Sequence, residues 1–278
     1  MVIEDEQARP FSLVSIQANG WVSSTSLGSN KARRESKVNK LDDLEGLTQD
    51  LQGNLYAITS HSRTEKGNKK KSRNKLVRFR INENEIVDAR IVKGLKRALK
   101  TAHPILASAA KVHAVKEDEG LNIEALAFTP DYQRLLIGFR SPLIEGRAII
   151  APIENHVAMF EDNAAPQVAD SLITLDLQGH GIRGMAYFSD FKAYLIISGP
   201  ATRDTSLFQL WLWHGDPDQQ PVRLVVDGLV GLERAEGVCP AQIEGLSRIV
   251  IVSDDGDRKL GRFARYLILD PAHLRPAT

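Results

Sequence analysis

The chain has 278 residues, 42% hydrophobic and 26% charged, a composition that supplies a core and excludes a disordered protein. With 36 Lys+Arg against 35 Asp+Glu the formal charge is +1, so total charge selects no partner, and a single cysteine, Cys239, excludes an intramolecular disulfide and an all-cysteine zinc site. No apolar run approaches the roughly 20 residues of a membrane helix, and the acidic start Met1-Val-Ile-Glu-Asp-Glu6 is unlike an export signal, so the expectation is a cytoplasmic protein with no membrane contact.

In chain order, the first elements are the strand-like segments Phe11 to Gln17 and Trp21 to Leu27. A basic block follows. Between Lys31 and Lys116 there are 21 Lys+Arg against 9 Asp+Glu, which leaves 15 against 26 for the rest of the chain. Much of this block is the loop Arg63 to Lys75, whose lysines, glycine and asparagines show no apolar period; such runs stay solvated as a rule. No aromatic residue interleaves with the lysines, which removes the stacking platform of single-strand binding, so no nucleic-acid partner is expected.

A repeat organises everything beyond residue 43. Asp43-Leu-Glu-Gly-Leu47, Asn122-Ile-Glu-Ala-Leu126, Gly181-Ile-Arg-Gly-Met185 and Arg234-Ala-Glu-Gly-Val238 each place a charged residue before a small one and then an apolar one. Each leads through a turn into an apolar run: Leu55 to His61, Leu135 to Arg140, Tyr194 to Gly199 and Ile249 to Asp254. Each unit therefore opens with a β-hairpin. Further strands are expected at Lys75 to Ile81 and Glu85 to Val92, at Arg147 to Glu154 and Ser171 to Leu177, at Leu207 to Trp213 and Pro221 to Val226, and at Phe263 to Leu269. Gly94 to Val115 reads as a helix interrupted by Pro104. Four-stranded units repeated in this way describe an all-β protein, a β-propeller of about five blades, with four to six acceptable, forming one domain over residues 1–278. The strands before the first repeat either complete a blade across the termini or belong to a blade whose beginning is missing.

The first strand of a propeller blade lines the central channel and the second runs antiparallel to it. The repeat therefore places Glu45 beside His61 and Arg63, Glu124 beside Arg140, Arg183 beside Ser198 and Gly199, and Glu236 beside Asp254 and Asp255, all at one mouth. Glu45, Glu124, Glu236, Asp254 and Asp255 offer oxygen ligands for a divalent metal such as Ca²⁺ or Mg²⁺. Arg63, Arg140 and Arg183 offer forks for an anionic small molecule, and His61 a proton carrier near neutral pH. The competing reading is structural: the same charges pair from blade to blade.

Other motifs carry less. Gly179-His-Gly-Ile-Arg-Gly184 fits a dinucleotide fingerprint, but a strand rather than a helix follows, so no nucleotide cofactor is expected. Ser60, His61 and Ser62 are neighbours without the elbow of a serine hydrolase. Cys239 is expected on a buried strand in a packing role. Trp211 and Trp213 alternate with Leu210 and Leu212, as packing between two neighbouring blades requires.

At Asp43 to Leu47, Ser60 to Arg63, Gly138 to Pro142, Gly181 to Arg183 and Ser253 to Gly256 the sequence resembles a bacterial β-propeller family known as a domain of unknown function. The resemblance runs from about Leu41 to Asp270 and implies the fold and the site positions. The Glu-Gly-Leu opening is distantly similar to that of esterase-like phytase propellers, which implies a phosphoester-directed activity. Members of the nearer family carry a leading hydrophobic-acidic segment, of which Met1 to Glu6 would be the remainder. The expectation is thus a monomeric propeller that binds an anionic small molecule at one mouth and hydrolyses a phosphoester with a divalent metal. The rival is a non-catalytic interaction scaffold that uses the rim or the basic loop.

Overall fold

The computed structural model describes residues 1–3, 11–17, 21–27, 41–203, 207–229, 231–232, 234–256 and 260–277. Glu4 to Glu6 of the leading segment and Lys31 to Lys40 of the basic block lie outside the described residues. Five antiparallel sheets follow one another along the chain. The first comprises β1 (Val2–Ile3), β2 (Phe11–Ile16) and β3 (Val22–Ser26). The four repeat units form the others: β4 (Leu44–Gln49) to β7 (Glu85–Val92) through β5 (Leu55–Thr59) and β6 (Leu76–Asn82); β8 (Asn122–Phe128), β9 (Leu135–Ser141), β10 (Ala148–Ile153) and β11 (Ile173–Leu175); β12 (His180–Phe188), β13 (Ala193–Pro200), β14 (Gln209–Trp213) and β15 (Val222–Val226); and β16 (Ala235–Ile243), β17 (Leu246–Ser253) and β18 (Tyr266–Leu269). The fold is a β-propeller. The four repeat sheets are arranged as blades, with inner strands β4, β8, β12 and β16 packed each against the next.

Side-chain alternation explains this packing. Along a strand, successive residues face opposite sides of the sheet, so a blade buried between two neighbours needs apolar residues on both. In β14, Trp211 and Trp213 pack toward the second repeat sheet while Leu210 and Leu212 pack toward the fourth. Strands β8, β9 and β10 are buried along their whole length. Between the first two repeat sheets, Tyr56, Ile58 and Leu76 meet Ile123, Phe139 and Ile149 together with Leu99 and Leu106 of the helical insertion.

That insertion is two helices, α1 (Leu95–Ala102) and α2 (Pro104–Ala109), because Pro104 cannot continue the first but is well suited to begin the second. Three features depart from the sequence reading. A short helix, α3 (His156–Glu161), lies between β10 and β11 and packs Phe160 against Tyr56. The last strand, β19 (Leu274–Pro276), joins the outer edge of the third repeat sheet by pairing with β15, so that sheet has five strands and the fourth repeat sheet three. Cys239 is exposed on β16 rather than buried, because the strand's second half, from Cys239 onward, leaves the core. The N-terminal strands form their own sheet, and Phe11 packs on Phe79 of the first repeat sheet.

Candidate functional site at the propeller axis

In each inner strand the pairing register slips at the charged residue of the repeat, and β8 carries a second slip just before it, between Asn122 and Ile123. The shared slip falls between Leu44 and Gly46, between Ile123 and Ala125, between Ile182 and Gly184, and between Ala235 and Gly237. Glu45, Glu124, Arg183 and Glu236 are thus bulge residues. A bulge bends its strand and re-aims the side chain, here out of the sheet and toward the axis. The small residue that follows has its own cause: a Cβ on Gly46 would lie 2.9 Å from the backbone nitrogen of Leu126, and one on Gly184 would lie 2.6 Å from the carbonyl oxygen of Glu236. Small residues let adjacent inner strands approach, and the approach brings the four bulge side chains together.

Their arrangement is asymmetric. Arg183, almost fully buried, lies with its Nε 2.8 Å from Glu124 Oε2, an ion pair without hydrogen-bond alignment, and its Nη2 donates to Glu236 Oε1. Its guanidinium also stacks over the Phe208 ring at 5.3 Å. Glu124 Oε1 accepts from Asn122 Nδ2 at 2.8 Å and from Arg140 Nη1 at 3.4 Å. The rest of Arg140 grips the neighbouring blade: Nε donates to the carbonyls of Pro200 and Ala201, and Nη2 to that of Thr202. Glu45 is the remaining member and has no hydrogen-bond or ion-pair partner among the described residues.

The electrostatics follow from that surplus. Burial raises the Glu45 carboxyl well above the usual range, and Glu124, Asp43 and Glu236 push the same way against the single counter-effect of Arg183. Glu236 is pushed up to about 7 by burial, with Glu124 and Asp254 adding to the shift and Arg183 opposing it. With Glu45 protonated, Arg140 and Arg183 balance Glu124 and Glu236.

The structure therefore brings Glu45, Glu124, Arg140, Arg183 and Glu236 together, with the exposed Asp254 near Glu236. His61, Arg63 and Asp255 are engaged elsewhere. His61 is buried with positive φ; its Nδ1 lies 2.9 Å from the Thr59 carbonyl, and its neighbouring charge is Lys96. Burial lowers its pKa to about 4, so the ring is neutral at pH 7. Arg63 turns into the lysine loop, where it donates to the carbonyls of Gly67 and Ala110. Asp255 accepts from Ser253 Oγ and from the backbone and side chain of Arg265. Burial opposes ionisation of Asp255, but these bonds outweigh it and hold its pKa at about 2.

Ser60 and Ser62 both donate to Asp43 Oδ2, and Arg73 lies 3.1 Å from the same oxygen. Among the described residues neither serine hydrogen-bonds to the His61 ring, and its Nε2 has no partner. Asp43 thus joins the first repeat to the end of β5. Among the described residues no group of three or more His, Cys, Asp or Glu side chains is disposed to hold an ion, and the Arg183 guanidinium lies between Glu124 and Glu236.

A propeller that gathers three bulge-borne glutamates and one bulge-borne arginine at its axis is the class that fold and site define. Residues 93–263 match the family described as protein of unknown function DUF3616, and the chain belongs to that family. No curated protein matches the chain. Among solved structures it is similar to Kuenenia stuttgartiensis hydrazine synthase, at 11% identity and a TM-score of 0.37, over 79% of this chain and 55% of that one. It is also similar to the Pseudomonas aeruginosa periplasmic gluconolactonase PpgL, at 10% identity and a TM-score of 0.37, over 93% of this chain and 63% of that one. The chain thus spans less than two thirds of either, and at these scores the likenesses carry no argument about activity.

Proposed function

We propose that the protein binds an anionic small molecule at the mouth of the axis and hydrolyses an ester bond in it by acid–base chemistry, with Glu45 as proton donor and Glu236 as proton acceptor. One observation carries the reading: Glu45 is a carboxyl with no partner beside a second carboxyl that titrates near neutrality, in a cluster whose other charges are all engaged. Two acids whose environments separate their proton affinities are suited to divide the roles of donor and acceptor. Because protonated Glu45 leaves the cluster balanced, an anion is not repelled. Arg140 and Arg183 hold the glutamates rather than presenting free forks, so their part is to position the carboxyls.

The test is a panel of phosphate mono- and diesters, carboxylic esters and lactones assayed between pH 5 and 8, with and without Ca²⁺, Mg²⁺ and Mn²⁺. Turnover that falls by at least about a hundredfold in both Glu45→Gln and Glu236→Gln is expected, since general acid–base groups contribute on that scale. No turnover in any condition, together with no thermal shift from any compound, overturns the reading. A rise in melting temperature with a divalent cation that Glu45→Gln abolishes would replace proton chemistry by metal chemistry at the same carboxyls.

A further inference from the structure

We propose that Arg63, Lys69, Lys96 and Lys100 form a second site, on the rim above the first repeat sheet, that takes the phosphoryl group of a small molecule. It is separate from the axial carboxyls and stands without the reading given above.

Several cations near the lysine loop have acidic partners. Lys70 and Arg73 pair with Asp42, Arg78 and Arg90 share Glu161, and Arg203 bridges Glu65 and Glu117. Among the described residues, no carboxylate lies within ion-pair distance of Arg63, Lys69, Lys96 or Lys100. These four nevertheless sit near one another: the charges of Arg63, Lys100 and Lys69 all act on Lys96. Like charges gathered without acids form an anion-attracting field.

Two of the four are fixed in place, which distinguishes a site from a solvated patch. Lys96 is half-buried, and its Nζ donates to the His61 carbonyl at 2.5 Å, leaving two of its three N–H bonds for a ligand. Arg63 is held by Nε and Nη1 on the carbonyls of Ala110 and Gly67, which leaves Nη2 uncommitted among the described residues. A cation held by carbonyl oxygens keeps its full charge and its geometry. Burial, and then the three neighbouring cations, push Lys96 down to about 8, the state that a bound anion would reverse.

Helix α1 adds to the same field. Its first turn carries Lys96 and no acid, and its N-cap, Gly94, provides no side-chain cap. The uncapped N–H groups and the positive end of the dipole therefore reinforce the lysine rather than offset it. A tetrahedral oxyanion with several acceptor oxygens matches this set of donors, as phosphate does at other helix starts flanked by cations. The compact pair of anchored cations, with two exposed lysines beside it, suits one phosphoryl group better than a polymer backbone.

The experiment is calorimetric titration of the full chain with inorganic pyrophosphate at low and moderate salt, alongside heparin. Saturable one-to-one binding is expected, weakened at least about tenfold, or 1.4 kcal/mol, in Lys96→Met and equally in the exposed double variant Lys69→Ala/Lys100→Ala, which leaves the hydrogen bonds of Arg63 and Lys96 intact. Lys70→Ala, whose lysine is paired with Asp42, and Glu45→Gln should bind as the parent does. Absence of pyrophosphate binding, or binding untouched by the double variant, overturns the site. Heparin binding through the same lysines at least about a hundredfold tighter than pyrophosphate overturns its assignment to a small molecule.

Discussion

Replacing Glu124 and Glu45, two glutamates one blade apart in the same repeat position, by glutamine should have opposite consequences. Glu124 is 4% exposed and faces Arg183 at 2.8 Å and Arg140 at 3.4 Å. At an effective dielectric of about 20, unit charges 2.8 Å apart attract by about 6 kcal/mol, of which desolvation consumes a large part. Removing only the acid leaves two buried guanidinium groups with Glu236 as their one carboxylate partner. Breaking a buried pair in this way costs about 3–5 kcal/mol, so Glu124→Gln should lower the guanidinium midpoint with an unchanged slope. Burial raises the Glu45 carboxyl well above its usual range, and an amide is the isostere of the neutral acid, so Glu45→Gln should cost under about 1 kcal/mol at pH 6. It should become increasingly stabilising toward pH 8, because the unfolded carboxyl ionises above about 4.5 while the raised pKa in the fold opposes ionisation. Denaturation of both variants at pH 6 and pH 8 measures this. Equal losses from the two substitutions at either pH would refute the asymmetry of the cluster.

The wild-type stability should fall toward pH 8, because two raised carboxyls, Glu45 and Glu236, oppose one lowered histidine, His61. Glu236, raised from 4.5 to about 7, contributes stability that is fully present below pH 4.5 and lost as pH rises through 7. His61, lowered from 6.5 to about 4, contributes stability that is present above pH 6.5 and lost as pH falls through 4. Each amounts to about 3 kcal/mol, so the slopes oppose one another between pH 4.5 and 6.5. Chemical denaturation across pH 4 to 8 checks this; a steady rise from pH 5 to 8 would contradict it. Gly184→Ala, whose new Cβ would lie 2.6 Å from the Glu236 carbonyl oxygen, should cost at least about 1–3 kcal/mol through overpacking, whereas Gly146→Ala, which meets nothing within 4 Å, has only the backbone strain of its positive φ. The single thiol, exposed on β16, should react stoichiometrically with a thiol reagent in native protein, and a requirement for denaturant would contradict its position.

The repeat was legible because it has two physical causes that both leave a mark in sequence. Hairpin pairing needs alternation and turns, and close approach of the inner strands needs a small residue at Gly46 and Gly184, the place that Ala125 and Gly237 hold in the other two repeats. Spacing thus placed Glu45, Glu124, Arg183 and Glu236 at one level of the axis. It could not show the direction of side chains beyond the strand ends. Arg63 follows a β5 that ends at Thr59, so its guanidinium is free to serve the loop, while Arg140, still within β9, is drawn to three carbonyls of the next blade. Asp255 shows the same limit: its partner Arg265 is ten residues on, in a segment expected to be strand, but Tyr266 is where β18 begins. The roles of Asp43 and Lys96 were hidden for another reason, since each acts through backbone or side-chain oxygens of the Ser60 to Arg63 segment that only the folded loop assembles.

The strand order of the third repeat sheet also constrains how the molecule can be made. β15 gains its outer neighbour only when β19 arrives, after the whole of the fourth repeat sheet, and Arg275 then reaches back 48 residues to Asp227. Until that moment the exposed edge of β15 is an open hydrogen-bonding rail, the kind of surface that recruits stray strands. The fourth blade is in effect stitched between a strand and its late-coming partner, so a ribosome that stalls before residue 274 would release a chain with its blades formed and its seam undone.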